Sequence, residues 1–438
     1  MSLEYEAGQE GAAAPDGSQG DTAKPDKPAR DRRRTERRRK PEQSAARSDG
    51  ASSAQGRQAD HSLKSADTAS QDQSAGKARS KEIYSRAVYS AIDLGTNNCR
   101  LLVARPTRGG FRVVDAFSRI VRLGEGLSGD GALSEAAMDR TVEALKICAQ
   151  KIERRQVTCM RHVATEACRV ATNSDLFLNR IKAETGINID IISPAEEARL
   201  AVLGCQSLIS PNNRNALVFD IGGGSTEIVW VKVGGRGRAR ILGWISVPWG
   251  VVNLTEQFGN KGHAPGPAAY NEMIASVSQQ LQPFYEQQAI YQAVENRRVQ
   301  FLGTSGTVTT LASLHFKLPR YDRNRIDGAW VKPNDMLGLA KQVASMSHEE
   351  RVLQPSIGHD RADLVVAGCA ILEAILDVPG IRSLRVADRG IREGILRGLM
   401  QEDGLFASES SPGLSKARRG GQKNRSNRHR PAKQNEQG

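Results

Sequence analysis

No stretch of this chain approaches the roughly 18 consecutive apolar residues that a membrane-spanning helix needs. Its opening, Met1-Ser2-Leu3-Glu4-Tyr5-Glu6, lacks the basic start and apolar run of a secretory signal. Cysteine is scarce, and Cys99, Cys148, Cys159, Cys168, Cys205 and Cys369 form no Cys-x-x-Cys pair and no Cys/His spacing suited to zinc. Reduced, mostly buried thiols are expected. These absences argue against a spanning helix, a disulfide scaffold and a zinc module, and by elimination they predict a cytoplasmic chain with no membrane partner.

Large apolar side chains are almost missing from residues 1 to about 85, which are Ala, Ser, Gly, Gln, Asp, Lys and Arg. Such a segment cannot bury enough surface to offset the entropy of ordering, so 1–86 is read as a disordered basic region and 404–438 as a disordered basic tail. Acidic residues are the minority, 49 against 62 Lys/Arg for a formal net charge of +13. The excess sits largely at the ends: 1–86 holds 17 Lys/Arg against 14 Asp/Glu, 404–438 holds 8 against 2, and the rest carries only +4. The basic runs Arg32 to Lys40 (RRRTERRRK) and Lys416 to Lys433 either solubilise the chain or attach it weakly to RNA or another polyanion through charge alone.

What remains is long enough for two domains at about 150 residues each, a first α/β lobe over 87–207 and a second over 208–403. Ala87-Val88-Tyr89-Ser90-Ala91-Ile92 reads as a buried strand ending at Asp93, followed by a Gly turn and the returning run Leu101-Leu102-Val103-Ala104. Ser134 caps a helix through about Gln156, in which Met138, Val142, Leu145 and Ile152 recur at helical spacing. The opening pattern returns at Leu217-Val218-Phe219-Asp220, which runs into Gly222-Gly223-Gly224 and comes back as Glu227-Ile228-Val229-Trp230-Val231. Two halves that each begin with a strand, an Asp and a Gly turn predict a duplicated α/β architecture.

A Gly turn lets backbone N–H groups come close to a phosphate, and an Asp at the strand's end can hold a metal ion or its waters. Either turn alone says little, since the same motif serves as an ordinary turn. The pair AIDLGTNNCRLL (91–102) and LVFDIGGGSTEIV (217–229), with a third Gly/Thr turn in FLGTSGTVTTLA (301–312), points to phosphate held in one interdomain cleft. With ATEACRVATN (164–173), ISPAEEARL (192–200) and ADRGIREGIL (387–396), these segments resemble the Ppx/GppA phosphatases, the exopolyphosphatase and guanosine pentaphosphate phosphohydrolase family. The likeness spans about residues 87–402.

The resemblance implies a two-lobed, duplicated actin and sugar-kinase-like (ribonuclease H-like) α/β fold with an interdomain cleft, flanked by the disordered tails. It implies Glu197 as the base that deprotonates the attacking water and Arg169 as a phosphate-binding arginine. Asp93, Asp220 and Glu227 would hold Mg²⁺, while Thr96, Asn97, Asn98, Gly222, Gly223, Gly224, Ser225 and Thr226 would donate to phosphate oxygens. Glu196, three residues before Arg199, fits a surface acid paired with that arginine. Asn98 departs from the small hydroxyl residue of many relatives. Long family members carry a helical domain resembling HD phosphohydrolases where only a basic tail follows Gly394 and Met400 here. A short form is therefore expected, with His359-Asp360 a structural pair.

The implied activity is release of terminal orthophosphate from inorganic polyphosphate, guanosine pentaphosphate or both, and these residues leave that choice open. A nucleotide-dependent phosphotransferase or ATPase of the same superfamily would use the same two turns, but the E-E-A-R segment argues against it. A non-catalytic guanosine polyphosphate sensor with RNA-binding tails would not need the acids that are present. A homodimer is the common outcome for soluble enzymes. Removing residues 1–84 and 406–438 should leave the melting temperature almost unchanged, because neither segment brings an apolar surface to pack. A large drop in a thermal melt would show that one of them docks.

Overall fold

The computed structural model describes residues 86–235, 239–259 and 265–406, so the readings of 1–85 and 407–438 concern residues outside that set. β1 (Tyr89–Leu94) pairs antiparallel with β2 (Asn98–Thr107), and β2 with β3 (Gly110–Ile120). On its other side β1 runs parallel to β4 (Cys159–Ala164), and β4 to β5 (Asp190–Ile191). β6 (Asn215–Ile221), β7 (Thr226–Val233), β8 (Ala239–Val247) and β9 (Val299–Thr304) repeat that order and polarity. β10 (Trp330–Val331) and β11 (Leu384–Ala387) complete the second sheet, β11 parallel to β9 and β10 antiparallel at the edge. The architecture is thus the duplicated, two-lobed α/β fold that the sequence predicts.

The central strands read as continuous apolar runs because both faces of each sheet are covered. Side chains on a strand alternate between faces, and each face packs on its own set of helices. In the first sheet Ile92, Leu94, Leu101 and Val103 meet the helices Glu135–Arg154 and Ser174–Thr185. Tyr89, Ala91, Leu102 and Ala104 face the other way, onto the helix Ile391–Glu402. In the second sheet Leu217, Phe219, Ile228 and Trp230 pack on the helices Pro267–Gln287 and Val365–Leu376, while Ala216, Val218, Val229 and Val231 face the helix Pro194–Cys205.

The two helices are exchanged relative to sequence order. Ile391–Glu402, which follows the last strand of the second sheet, lies on the first sheet, whereas Pro194–Cys205, which follows the first sheet, lies on the second. Leu405 and Phe406 join the same apolar group, so a truncation that spares Phe406 is the cleaner test of the tail. The helices press together where they cross: a Cβ at Gly204 would stand 2.0 Å from the carbonyl oxygen of Gly390, and one at Gly394 2.1 Å from that of Leu200. Only glycine allows this contact, and the obstructing atoms are backbone, which cannot swing aside.

Gly394→Ala should therefore lower stability by about 1–3 kcal/mol or more, as overpacking does, measured by urea denaturation; an unshifted midpoint would mean that the crossing yields. A second expectation concerns His162, buried between β4 and β1, whose Nδ1 accepts the Ile92 N–H at 3.1 Å. Burial pulls its pKa down to about 4 from the usual value of about 6.5. As pH falls through that window the unfolded chain takes up a proton that the folded one refuses, so stability present above the window is lost within it, at up to about 1.4 kcal/mol per pH unit. His162→Gln should flatten the loss between those two values, and an unchanged slope would assign it to other groups.

Candidate active site

Asp93 has the same strand parity as Tyr89 and Ala91, and Asp220 the same as Ala216 and Val218, so both carboxylates emerge on the faces that the two lobes turn toward the crossed helices. Residues directly opposite in an antiparallel pair share a face. Asp93 stands opposite Arg100, and Asp220 opposite Glu227. The duplication therefore places an arginine in one lobe where the other has an acid. All four line a cavity of about 140 Å³ between the lobes, together with Glu197.

The two hairpin turns close identically, Gly95 N–H to Asn98 O at 2.9 Å and Gly222 N–H to Ser225 O at 2.9 Å. Behind the second turn, Gly222 O and Gly223 O accept from Val251 N and Val252 N, and Gly224 O accepts from Asn253 Nδ2. Those carbonyls are thereby consumed away from the cavity. Across the lobes the turns nearly touch. Glu166, at the start of the helix Glu166–Val170, accepts a hydrogen bond from Thr96 Oγ1 at 3.0 Å, and its carboxylate lies where a Cβ on Gly224 would be, 1.8 Å from Oε2. Gly224 is required there by close approach rather than by backbone conformation.

Glu197 lies in the first turn of Pro194–Cys205, a helix begun by Ser193, whose Oγ accepts from Glu196 N, and by Pro194. One position earlier, Glu196 pairs with Arg161 and Arg199 at the surface, as its spacing predicts. Glu197 turns inward and is 6% exposed. Arg169 Nη1 donates to it at 3.2 Å and to Ile192 O at 2.8 Å. Burial, then the neighbouring Glu227 carboxylate, push the Glu197 pKa well up, and Arg169 only partly offsets them. Glu227 is 1% exposed and accepts from Ser225 Oγ and Ser246 Oγ at 2.7 and 2.8 Å. Burial raises its pKa despite both bonds. Asp220 is pushed up to about 7 by burial and then by Glu227 and Asp93, and burial raises Asp93 as well, against Arg100 and Arg392.

Of the residues singled out by sequence, Asp93, Glu197, Asp220, Glu227, Thr96, Asn97, Asn98, Gly222, Gly223, Gly224 and Ser225 all line this cavity. Two do not. Thr226 is fully buried and donates its hydroxyl to Trp249 O, and Arg169 stands behind Glu197 as its partner. His359 and Asp360 are exposed and outside the cavity. Sequence reasoning missed Arg100, Glu166, Ser305, Thr307, Thr310 and Arg361, all of which line the cavity. The first five sit inside segments already recognised as motifs. Among the described residues no group of three His, Cys, Asp or Glu side chains is arranged to hold a metal ion.

The profile of the Ppx/GppA phosphatase family matches residues 102–403. Guanosine-5'-triphosphate,3'-diphosphate pyrophosphatase of Aeromonas hydrophila is 31% identical over 319 residues, 73% of this chain and 60% of that protein. The protein of the same name from Aliivibrio fischeri is 32% identical over 315 residues, 72% of this chain and 60% of its own. The chain thus spans about 60% of the length of these curated relatives. The crystal structure of the Aquifex aeolicus Ppx/GppA family member is similar at a TM-score of 0.59 and 29% identity, covering 72% of this chain and 98% of that one. An exopolyphosphatase from Cytophaga hutchinsonii is similar at a TM-score of 0.64 and 26% identity, covering 73% and 99%.

A carboxylate whose folded pKa is raised keeps its proton to higher pH than the unfolded chain does, so it costs stability once ionised. In metal-free buffer Asp220→Asn should therefore stabilise the protein by roughly 1–3 kcal/mol above about pH 7 and have little effect near pH 4. Denaturation at the two pH values tests this, and an equal effect at both would remove electrostatics as the cause.

Proposed function

The chain belongs to the Ppx/GppA phosphatase family, and we propose that it is a magnesium-dependent phosphohydrolase that releases orthophosphate from the end of a phosphoanhydride chain, either inorganic polyphosphate or guanosine pentaphosphate. The observation that carries this reading is the buried Glu197 carboxylate, held by Arg169 at the wall of a cavity that both glycine turns enter.

Phosphoryl transfer asks a protein mainly to position the nucleophile and to neutralise charge. Glu197 has the burial and raised proton affinity of a general base. Water attacking the terminal phosphorus gives its proton to Glu197, the bond from phosphorus to the bridging oxygen breaks, and the shortened chain leaves with that oxygen. Arg169 holds the base carboxylate in place. The turn at Gly222-Gly223-Gly224, with its carbonyls occupied behind it, presents donors to the terminal phosphate oxygens, as do Thr96, Asn97 and Asn98 from the first lobe. Arg100 adds a cation on the first-lobe side, and the opposing Asp220 and Glu227 supply hard oxygen donors on the other. Mg²⁺ bound there would supply charge neutralisation for the substrate phosphates.

Glu197→Gln should preserve the fold and substrate binding and reduce orthophosphate release from tripolyphosphate and guanosine pentaphosphate by about 10²–10⁴-fold, with Glu196→Gln mild. Near wild-type release from the first variant would sink the assignment. Asp220→Asn and Glu227→Gln should each raise the magnesium concentration needed for half-maximal release; unchanged titrations in both would move the metal toward Asp93. Turnover of the two substrates side by side decides which is preferred.

A further inference from the structure

The second sheet has an end that takes no part in the reaction derived above. β6 carries Asp220 to the cavity near its C-terminus, whereas Arg214 precedes the same strand, about 20 Å away at roughly 3.3 Å per residue. Strand polarity gathers the N-termini of β11, β9, β6 and β8 and the C-termini of β10 and β7 along that distal edge. Each of the six strands places an exposed cation there: in sheet order, Lys332, Arg382, Arg298, Arg214, Lys232 and Arg240. Neighbouring strands lie about 4.8 Å apart, so the row is roughly 24 Å long.

Among the described residues none of these cations forms an ion pair or a side-chain hydrogen bond, whereas Arg140, Arg180 and Arg389 each meet an acid. Glu295, Asp335 and Asp377, the exposed acids nearest to the row along the chain, do not pair with it. Lys232 and Arg240 stand directly opposite each other in the β7–β8 pair, and like charges so placed destabilise a sheet. Residues 87–403 carry only +4 in all, so the row is a local concentration of charge that folding does not require.

Of the large apolar side chains that are exposed, only Trp330 belongs to a strand of this sheet. It precedes Lys332 by two residues, with the Arg385 guanidinium over its ring at 5.1 Å. A protein interface or a membrane-inserting face would need a contiguous apolar centre. One aromatic beside a line of cations instead suits a single nucleic-acid strand, whose phosphates meet the charges while an unpaired base stacks. Asn212 and Asn213, beside Arg214, bring amides that both donate and accept, as a ribose 2′-hydroxyl does.

We infer that this distal edge is a docking surface for single-stranded RNA, with the backbone laid along the row and an unpaired base against Trp330. Four of the six cations are arginines, whose planar fork matches phosphate oxygens. RNA held there leaves the cavity at the other end of β6 open, so the surface tethers the protein without occupying the candidate active site.

The test is the fluorescence anisotropy of a labelled oligouridylate titrated with the full chain at several salt concentrations. A triple variant, Arg214→Gln with Lys232→Gln and Arg240→Gln, should bind about 10- to 100-fold more weakly at low salt, and the slope of log affinity against log salt should shrink by about 2, at roughly 0.7 per lost phosphate contact. Trp330→Ala should weaken binding about 5- to 100-fold through lost stacking and leave the slope unchanged. A control with the same change of charge on exposed first-lobe arginines, Arg105→Gln with Arg108→Gln and Arg112→Gln, should stay within about threefold of wild type. All the substituted side chains are exposed, so the variants should melt with wild type. Equal weakening in the control, or wild-type affinity in both the triple variant and Trp330→Ala, overturns the proposal and leaves RNA attachment to bulk charge or to the terminal basic runs. Absence of wild-type binding overturns it as well. Loss of binding to phosphatidylserine vesicles in the triple variant, with RNA binding intact, overturns it in favour of an anionic membrane surface.

Discussion

The fold withdraws Asp93, Glu197, Asp220 and Glu227 from water around one cavity, and burial raises the proton affinity of each; an isolated chain would never tolerate that concentration of charge in an apolar setting. Everything else at the centre of the molecule compensates for it. Arg169 meets Glu197, Ser225 and Ser246 meet Glu227, and Arg100 stands opposite Asp93. The compensation is incomplete, since burial still dominates each carboxyl. A divalent cation and a donor-rich turn that accepts phosphate complete the balance under the proposed function, which explains why the cost in stability is retained.

The duplication supplies the geometry, and its one broken equivalence supplies the polarity. Each lobe brings a strand ending in Asp, a four-residue turn and a returning strand, with the partner of the Asp fixed by the antiparallel register. Had the position of Arg100 been acidic like Glu227, the cavity would hold six carboxylates and no lining cation from the first lobe. With an arginine there, the first-lobe strand pair carries one charge of each sign and the second-lobe pair two acids. Arg361, bonded to Thr310 Oγ1, adds a cation to the lining of the same cavity.

Both lobes owe their relative placement to the crossed helices. Each helix packs its apolar side on the sheet of the other half, and glycine at Gly204 and Gly394 lets the backbones meet. Glu197 is carried on one of these helices and Glu393 on the other, where it binds Arg323 and the Gly390 N–H. The buried Glu197 carboxylate and the lobe connection are therefore parts of one packed unit.

The turns, the strands leading into them and the identity of the acids were legible in the sequence because they are local. A buried strand ending in Asp followed by glycine has few alternative conformations, and Ser193-Pro194 or Ser134 announce a helix start by their own hydrogen-bonding chemistry. The pairing of Glu196 with Arg199 could likewise be read from spacing, which freed Glu197 for the interior. What the sequence could not decide was which face each side chain would take and what it would meet. Arg169, read from the sequence as a phosphate ligand, donates to Glu197; Thr226, read as a donor, donates to Trp249 O; Glu166 and Arg361 line the cavity while bonding Thr96 and Thr310, 70 and 51 residues away along the chain. Strand register, the exchange of two helices and the approach of two lobes set those contacts. They depend on long-range packing, for which neighbouring residues along the chain carry no signal.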